Sequence, residues 1–192
     1  EQPDYETRRL AILRAMDKYD RLGLAGVRDL LGAGRRDESG DFTAGAGLDE
    51  AQIEAVIGLV SAQGASRPEM LNALEAQIGD TAAGTSGIAE LRDMDALFTR
   101  LGYGVERLCI DPTIVRGLGY YTGPVYEIDL TFDTQDSDGT VTRFGSVGGG
   151  GRYDDLIKRF KGVEIPATGI SIGVSRLAAA LALLGRADAS AV

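Results

Sequence analysis

Histidine and tryptophan are absent from the 192-residue chain, and cysteine occurs once. Without histidine, imidazole acid–base catalysis, Ser-His-Asp triads and HExxH zinc sites are excluded together. The single thiol, Cys109, has no cysteine to pair with and no histidine to activate it. Within the apolar stretch 105–110 it reads as a buried core thiol. Such sparing cysteine usage suits a reducing, cytosolic setting. A basic excess is lacking too: 20 Lys and Arg stand against 29 Asp and Glu, giving a net charge of −9. Any nucleic-acid contact must therefore come from local arginine and lysine clusters. No apolar run approaches membrane-spanning length, and no signal peptide opens the chain. Glu1 is not a methionine and helical sequence starts almost at once, as in a piece of a longer protein.

What is present divides into two halves, with 44% hydrophobic residues to build one or two small cores. The first half reads as helices. Asp4 is placed to cap a segment carrying Leu10, Leu13, Met16, Tyr19 and Leu22 near one face, and Gly23 ends it. A short helix through Val27, Leu30 and Leu31 precedes the glycine-rich loop GAGRRDESGDFTAGAG at 32–47. Helical spacing resumes over 48–62 through Ile53, Val56, Ile57 and Val60. Pro68 fits the first turn of the next helix. The stretch TAAGTSG at 81–87 reads as a linker before a helix over 88–101.

The second half reads differently. A short strand is expected over 105–110. Alternation over 125–132, the polar tip DTQDSDG at 133–139 and a return over 140–147 make an antiparallel hairpin. A short helix over 154–160, a buried strand over 168–174 and a helix over 175–184 complete an α+β arrangement: helices first, then a mostly antiparallel sheet.

Several motifs permit two readings. Asp133, Asp136 and Asp138 lack calcium-loop spacing and read as a solvated hairpin tip. Arg35 and Arg36 are either solvent-exposed charges or phosphate contacts on RNA. Four successive glycines, Gly148, Gly149, Gly150 and Gly151, precede Arg152, Tyr153 and Asp154. They make either a flexible loop or a patch without Cβ atoms where a ligand lies on the backbone. Arg176, in the first turn of the last helix, is disfavoured there by the helix dipole. It forms either a surface ion pair or a contact to an anionic or planar ligand. Arg116 with Tyr120 and Tyr121 is a third arginine-bearing, glycine-rich corner.

Taken in order, IDPTIVRGLGYYTGPVYE, GGGGRYDDL and TGISIGVSRL resemble the two histidine motifs and class II motif 3 of the histidyl-tRNA synthetases. The resemblance implies that residues 1–87 are the family's helical insertion module. Residues 88–192 would then be the C-terminal part of its class II catalytic domain. Motifs 1 and 2 and the anticodon-binding domain have no counterpart in the sequence. It further implies histidine, ATP with Mg2+, and tRNA(His) as substrates, a cytoplasmic homodimer as the whole enzyme, and no protein-bound metal or membrane. Arg116 would stabilise charge on the phosphoryl oxygens. Tyr120, Tyr121, Gly149, Gly150, Gly151 and Tyr153 would form the histidine pocket, and Gly173 and Arg176 would contact ATP. Two positions depart from the pattern: Gly119 replaces an aspartate, and Ser175 replaces the glutamate before the motif 3 arginine. The rival family reading is a histidine-binding paralogue such as the regulatory subunit of ATP phosphoribosyltransferase.

Overall fold

The structure is a computed structural model and describes residues 5–117, 119–135, 139, 141–142 and 145–184. The expected Asp4 cap, and Asp136 and Asp138 of the hairpin tip, lie outside the described residues. Two compact units divide the chain, Glu1–Gly119 and Tyr120–Val192.

In the first unit, α1 (Tyr5–Met16) packs on α2 (Tyr19–Leu31). Gly23 breaks the helical path as its sequence position suggests, at φ 63°, but as a kink within α2. The 32–47 segment holds a short hairpin, β1 (Gly34–Arg36) paired antiparallel with β2 (Phe42–Ala44). Here Arg36 lies 5.7 Å from the Phe42 ring and donates to the Gly40 carbonyl at 2.8 Å, so it is engaged within the hairpin. Asp49 opens α3 (Glu50–Val60) with a reciprocal capping box to Gln52. Val27, Leu30 and Leu31 of α2 and Ile53 of α3 join Ala15 in one core.

Ser66 caps α4 (Arg67–Ile78), whose first turn contains Pro68 as expected. Thr81 caps α5 (Ala82–Arg100). The expected linker at 81–87 is therefore mostly the first turns of α5. Its Ile88 joins Leu71 and Leu74 of α4 in a second core.

The stretch 105–110 is not a strand. Turns follow α5, with Arg107 and Leu108 N–H groups both donating to the Gly104 carbonyl. The carbonyls of Tyr103 and Leu108 accept from the buried Arg67 guanidinium, at 3.0 and 2.9 Å, rather than from a neighbouring strand. Cys109, expected in a core, is exposed.

The second unit is built on a three-stranded antiparallel sheet in the order β3-β6-β7. The strand β3 (Val125–Asp129) leads through the small pair β4 (Thr134–Gln135) and β5 (Val141–Thr142) into β6 (Ser146–Arg152). The hairpin is present, but its return strand is β6, with a register irregularity at Ile128/Asp129. After α6 (Asp154–Lys161), β7 (Thr168–Ile172) runs along the other side of β6, and α7 (Val174–Leu183) follows. The expectation of a buried β7 is not met: Ile170 and Ile172 are 57% and 53% exposed. Among the described residues this strand is an edge of the sheet, paired with β6. The α+β class, helices then antiparallel sheet, is as the sequence implies.

Candidate active site

The four glycines are not a loop. They form the buried centre of β6, flanked on both sides by hydrogen-bonded strands. Opposed residues of antiparallel neighbours share a face, and successive residues alternate. Gly149 and Gly151 therefore share one face with Val125 and Glu127 of β3 and with Gly169 and Ser171 of β7. Tyr126, Ile128, Ile170 and Ile172 belong to the opposite face, where the Tyr126 hydroxyl donates to the Gly169 carbonyl at 2.6 Å.

Two tyrosines cover the glycine face, and they explain which glycines are needed. A Cβ on Gly151 would meet the Tyr121 ring at 2.9 Å and the Pro124 carbonyl at 2.8 Å. On Gly169 it would meet the Tyr153 hydroxyl at 2.1 Å. Real Cβ atoms do not approach so closely, so both positions must be glycine for the phenols to lie on the sheet. Tyr120 completes the group. Ring centroids are 4.4 Å apart for Tyr120–Tyr121, 6.2 Å for Tyr121–Tyr153 and 6.4 Å for Tyr120–Tyr153. Such an aromatic wall over exposed backbone offers flat apolar contact together with hydroxyls that donate or accept. That combination suits a small polar molecule carrying a ring.

A hydrogen-bonded corner holds these rings. The Thr122 N–H donates to the Arg152 carbonyl at 2.9 Å, and Arg152 Nη2 returns a bond to the Thr122 carbonyl at 3.3 Å. The Asp154 N–H donates to Thr122 Oγ1 at 3.0 Å. The Asp154 carboxylate accepts the Ala167 N–H at 2.8 Å and pairs with Arg152 Nε at 3.2 Å. Neither Thr122 nor Gly169 announces itself in the sequence. Each is one small residue within a motif, and only the packed tyrosines reveal the need for it.

The remaining expected site residues divide as follows. Gly150 faces away from the tyrosine layer, beneath the Tyr126 ring, 2.9 Å from its hypothetical Cβ. Gly173 precedes α7, and its N–H donates to the Val147 carbonyl at 2.8 Å. Arg176 Nη1 donates to the Ser146 carbonyl. This guanidinium therefore belongs to the Ser146 end of β6, about 17 Å along the strand from Gly151. The sheet thus supplies two stations: tyrosines over glycine at one end and a guanidinium at the other. Arg116 belongs to the first unit, is half-buried, and lies in the non-helical segment before Gly119. Among the described residues, no group of three or more His, Cys, Asp or Glu side chains gathers to hold a metal. Among them also, no helix is long and apolar enough to cross a membrane.

Comparison with known proteins gives this geometry a relative. A family model described as histidyl-tRNA synthetase matches residues 16–177. A histidine–tRNA ligase of Jannaschia sp. (strain CCS1) is 54% identical over 183 residues, 95% of this chain and 36% of that protein. One from Brucella ovis is 55% identical over 183 residues, with the same two shares. The crystal structure of histidyl-tRNA synthetase from Nostoc sp. PCC 7120 superposes with a TM-score of 0.72 at 29% identity. That match covers 97% of this chain and 39% of the other. The chain therefore spans little more than a third of the length of the relatives it matches.

Proposed function

Because the chain belongs to the histidyl-tRNA synthetase family, we propose that it carries the amino-acid pocket and part of the nucleotide site of a histidine–tRNA ligase. In that enzyme histidine is joined to AMP and then transferred to tRNA(His). The observation that carries this reading is the set of three tyrosine rings over a glycine-lined sheet, in a chain so similar to these ligases.

In the first step the histidine carboxylate attacks the α-phosphorus of ATP, bound with Mg2+ as its substrate complex, and pyrophosphate leaves. Tyr121 meets the imidazole, because a phenol can donate or accept as the ring nitrogen requires. Tyr153 forms a second wall and Tyr120 buttresses Tyr121. Gly149 and Gly151 keep the floor free of side chains, and Gly150 between them lets the Tyr126 ring lie against the other face of the strand. Charge grows on the phosphoryl oxygens during the attack, and Arg116 is the guanidinium assigned to oppose it, on the strength of its place before the tyrosines in the motif. Gly173 and Arg176 serve the nucleotide, with the guanidinium stacking on adenine. Acyl transfer to the tRNA terminus then follows from the same pocket.

The helices of residues 1–87 correspond to the insertion module and residues 88–192 to the catalytic domain, with α5 continuous across the two assignments. The whole enzyme works as a homodimer in the cytoplasm, where a single free thiol is at home. A histidine-binding regulatory paralogue is not favoured, since the relatives at 51–55% identity are named histidine–tRNA ligases.

The test exchanges this chain for the corresponding region of the Jannaschia ligase and assays amino-acid-dependent ATP–pyrophosphate exchange. Exchange with histidine and none of the other standard amino acids is expected. A folded chimera that exchanges with no amino acid, or prefers another, contradicts the proposal. The 192-residue chain alone should be silent in the same assay, because motifs 1 and 2 have no counterpart in its sequence.

A further inference from the structure

We propose that Thr122 is a positioning residue that sets the spacing of Tyr121 and Tyr153 and, through it, the affinity of the pocket for histidine. The inference rests on the function proposed above. Tyr121 and Tyr153 reach the glycine face from different parts of the chain. The first precedes β3, and the second lies between β6 and α6. Their ring centroids are 6.2 Å apart. Something must fix the two backbones to one another, and the residue adjoining Tyr121 does so three times. Its N–H reaches the carbonyl of Arg152, its carbonyl accepts from the Arg152 side chain, and its hydroxyl accepts from the N–H of Asp154. Arg152 and Asp154 are the two neighbours of Tyr153.

The hydroxyl has a particular use. No side chain of Tyr153, the cap residue of α6, accepts a hydrogen bond from the helix. The first N–H of α6 would therefore look outward. Thr122 Oγ1 takes it from another segment, so the residue that starts α6 and the residue that follows Tyr121 are tied by one oxygen. Loss of that oxygen leaves the two main-chain bonds but frees the α6 end of the corner. Both tyrosines then lose a fixed mutual distance while the strands beneath remain paired.

The experiment compares Thr122→Val, which keeps the shape and removes the acceptor, with Thr122→Ser, which keeps the acceptor. In the chimeric ligase, Thr122→Val should raise KM for histidine about threefold to tenfold, the scale of one hydrogen bond. KM for ATP should stay within twofold, and Thr122→Ser should restore the original histidine value. In the 192-residue chain, nuclear Overhauser contacts between the Tyr121 and Tyr153 rings should weaken in the valine variant alone. Unchanged histidine KM, or equal rises for both substrates that follow a fall in thermal midpoint, would overturn the proposal. Should the unsubstituted chimera show no histidine-dependent exchange, the functional reading fails. The ring contacts then decide the positioning role alone: persistence in Thr122→Val refutes it.

Discussion

Replacing Arg67 by alanine should be among the most damaging single changes in the helical unit. The residue is 7% exposed, and its guanidinium is fully engaged. Nε meets Asp95 Oδ1 at 2.5 Å, Nη1 meets the Leu108 carbonyl, and Nη2 meets the Tyr103 carbonyl and, at 3.4 Å, Thr99 Oγ1. The Phe98 ring centroid is 5.9 Å away. These contacts bind the start of α4 to the end of α5 and to the turns beyond it. Alanine removes one side of an ion pair whose other side, Asp95, has a side chain only 15% exposed. Stranding one partner of a buried pair costs about 3–5 kcal/mol. The two abandoned carbonyls add to this only as far as water fails to reach them, so about 4 kcal/mol is expected in all. With a urea slope of about 2 kcal/mol per molar, the midpoint followed by helical circular dichroism falls by about 2 M. Raising NaCl from 0.1 to 1 M should leave that difference nearly unchanged, because the pair is out of solvent. The double variant Arg67→Met with Asp95→Leu should recover much of the loss, since no stranded carboxylate remains. A loss under 1 kcal/mol in Arg67→Ala, or a double variant as unstable as the two single losses added together, would refute the reasoning.

Other expectations concern the site and the hairpin. In a full-length context, Arg116→Ala should lower kcat of exchange about 100-fold with histidine KM within threefold, because its interaction grows as charge develops; a pure KM effect would refute its role. Gly169→Ala places a Cβ 2.1 Å from the Tyr153 hydroxyl. The ring must move at a cost of about 1–3 kcal/mol, read as a lower thermal midpoint and a raised histidine KM; unchanged values would contradict the packing. Asp37 is held below the usual carboxylate range, first by the Ser39 hydroxyl and then by the amides of Asp41, Ser39 and Gly40, with desolvation opposing. A depressed folded pKa means the stabilisation is present above the unfolded value and lost as pH falls through the folded one. Resonances of the Ser39 and Asp41 amides should therefore shift only below the ordinary aspartate titration range, and a midpoint at or above it would refute the bonding.

Where local chemistry decides the outcome, the sequence is readable. The apolar spacing over 48–62 became α3, Pro68 sits in the first turn of α4, and small-residue β7 leads into α7. Where a distant group decides, it is not. The apolar stretch over 105–110 reads as a strand, but Arg67, some 40 positions earlier, claims the Leu108 carbonyl, and Cys109 is exposed. The composition of 81–87 is that of a linker, yet Thr81 accepts from the Gly84 N–H and starts a helix. The three-residue strands β1 and β2 are too short to show a period. At the site, the tyrosines and the glycine run were visible as motifs. That the run is a central strand, and that Gly151 and Gly169 are floors beneath particular rings, depends on chain pairing that no local pattern encodes.

Calorimetric titration of histidine, followed by ATP, into the full-length chimera tests the pocket most directly. One histidine site per chain is expected, weakened by about 1–3 kcal/mol in Tyr121→Phe, while ATP binding alone is unaffected. Histidine heats identical in the two proteins, or no saturable histidine binding to a folded protein, would contradict it.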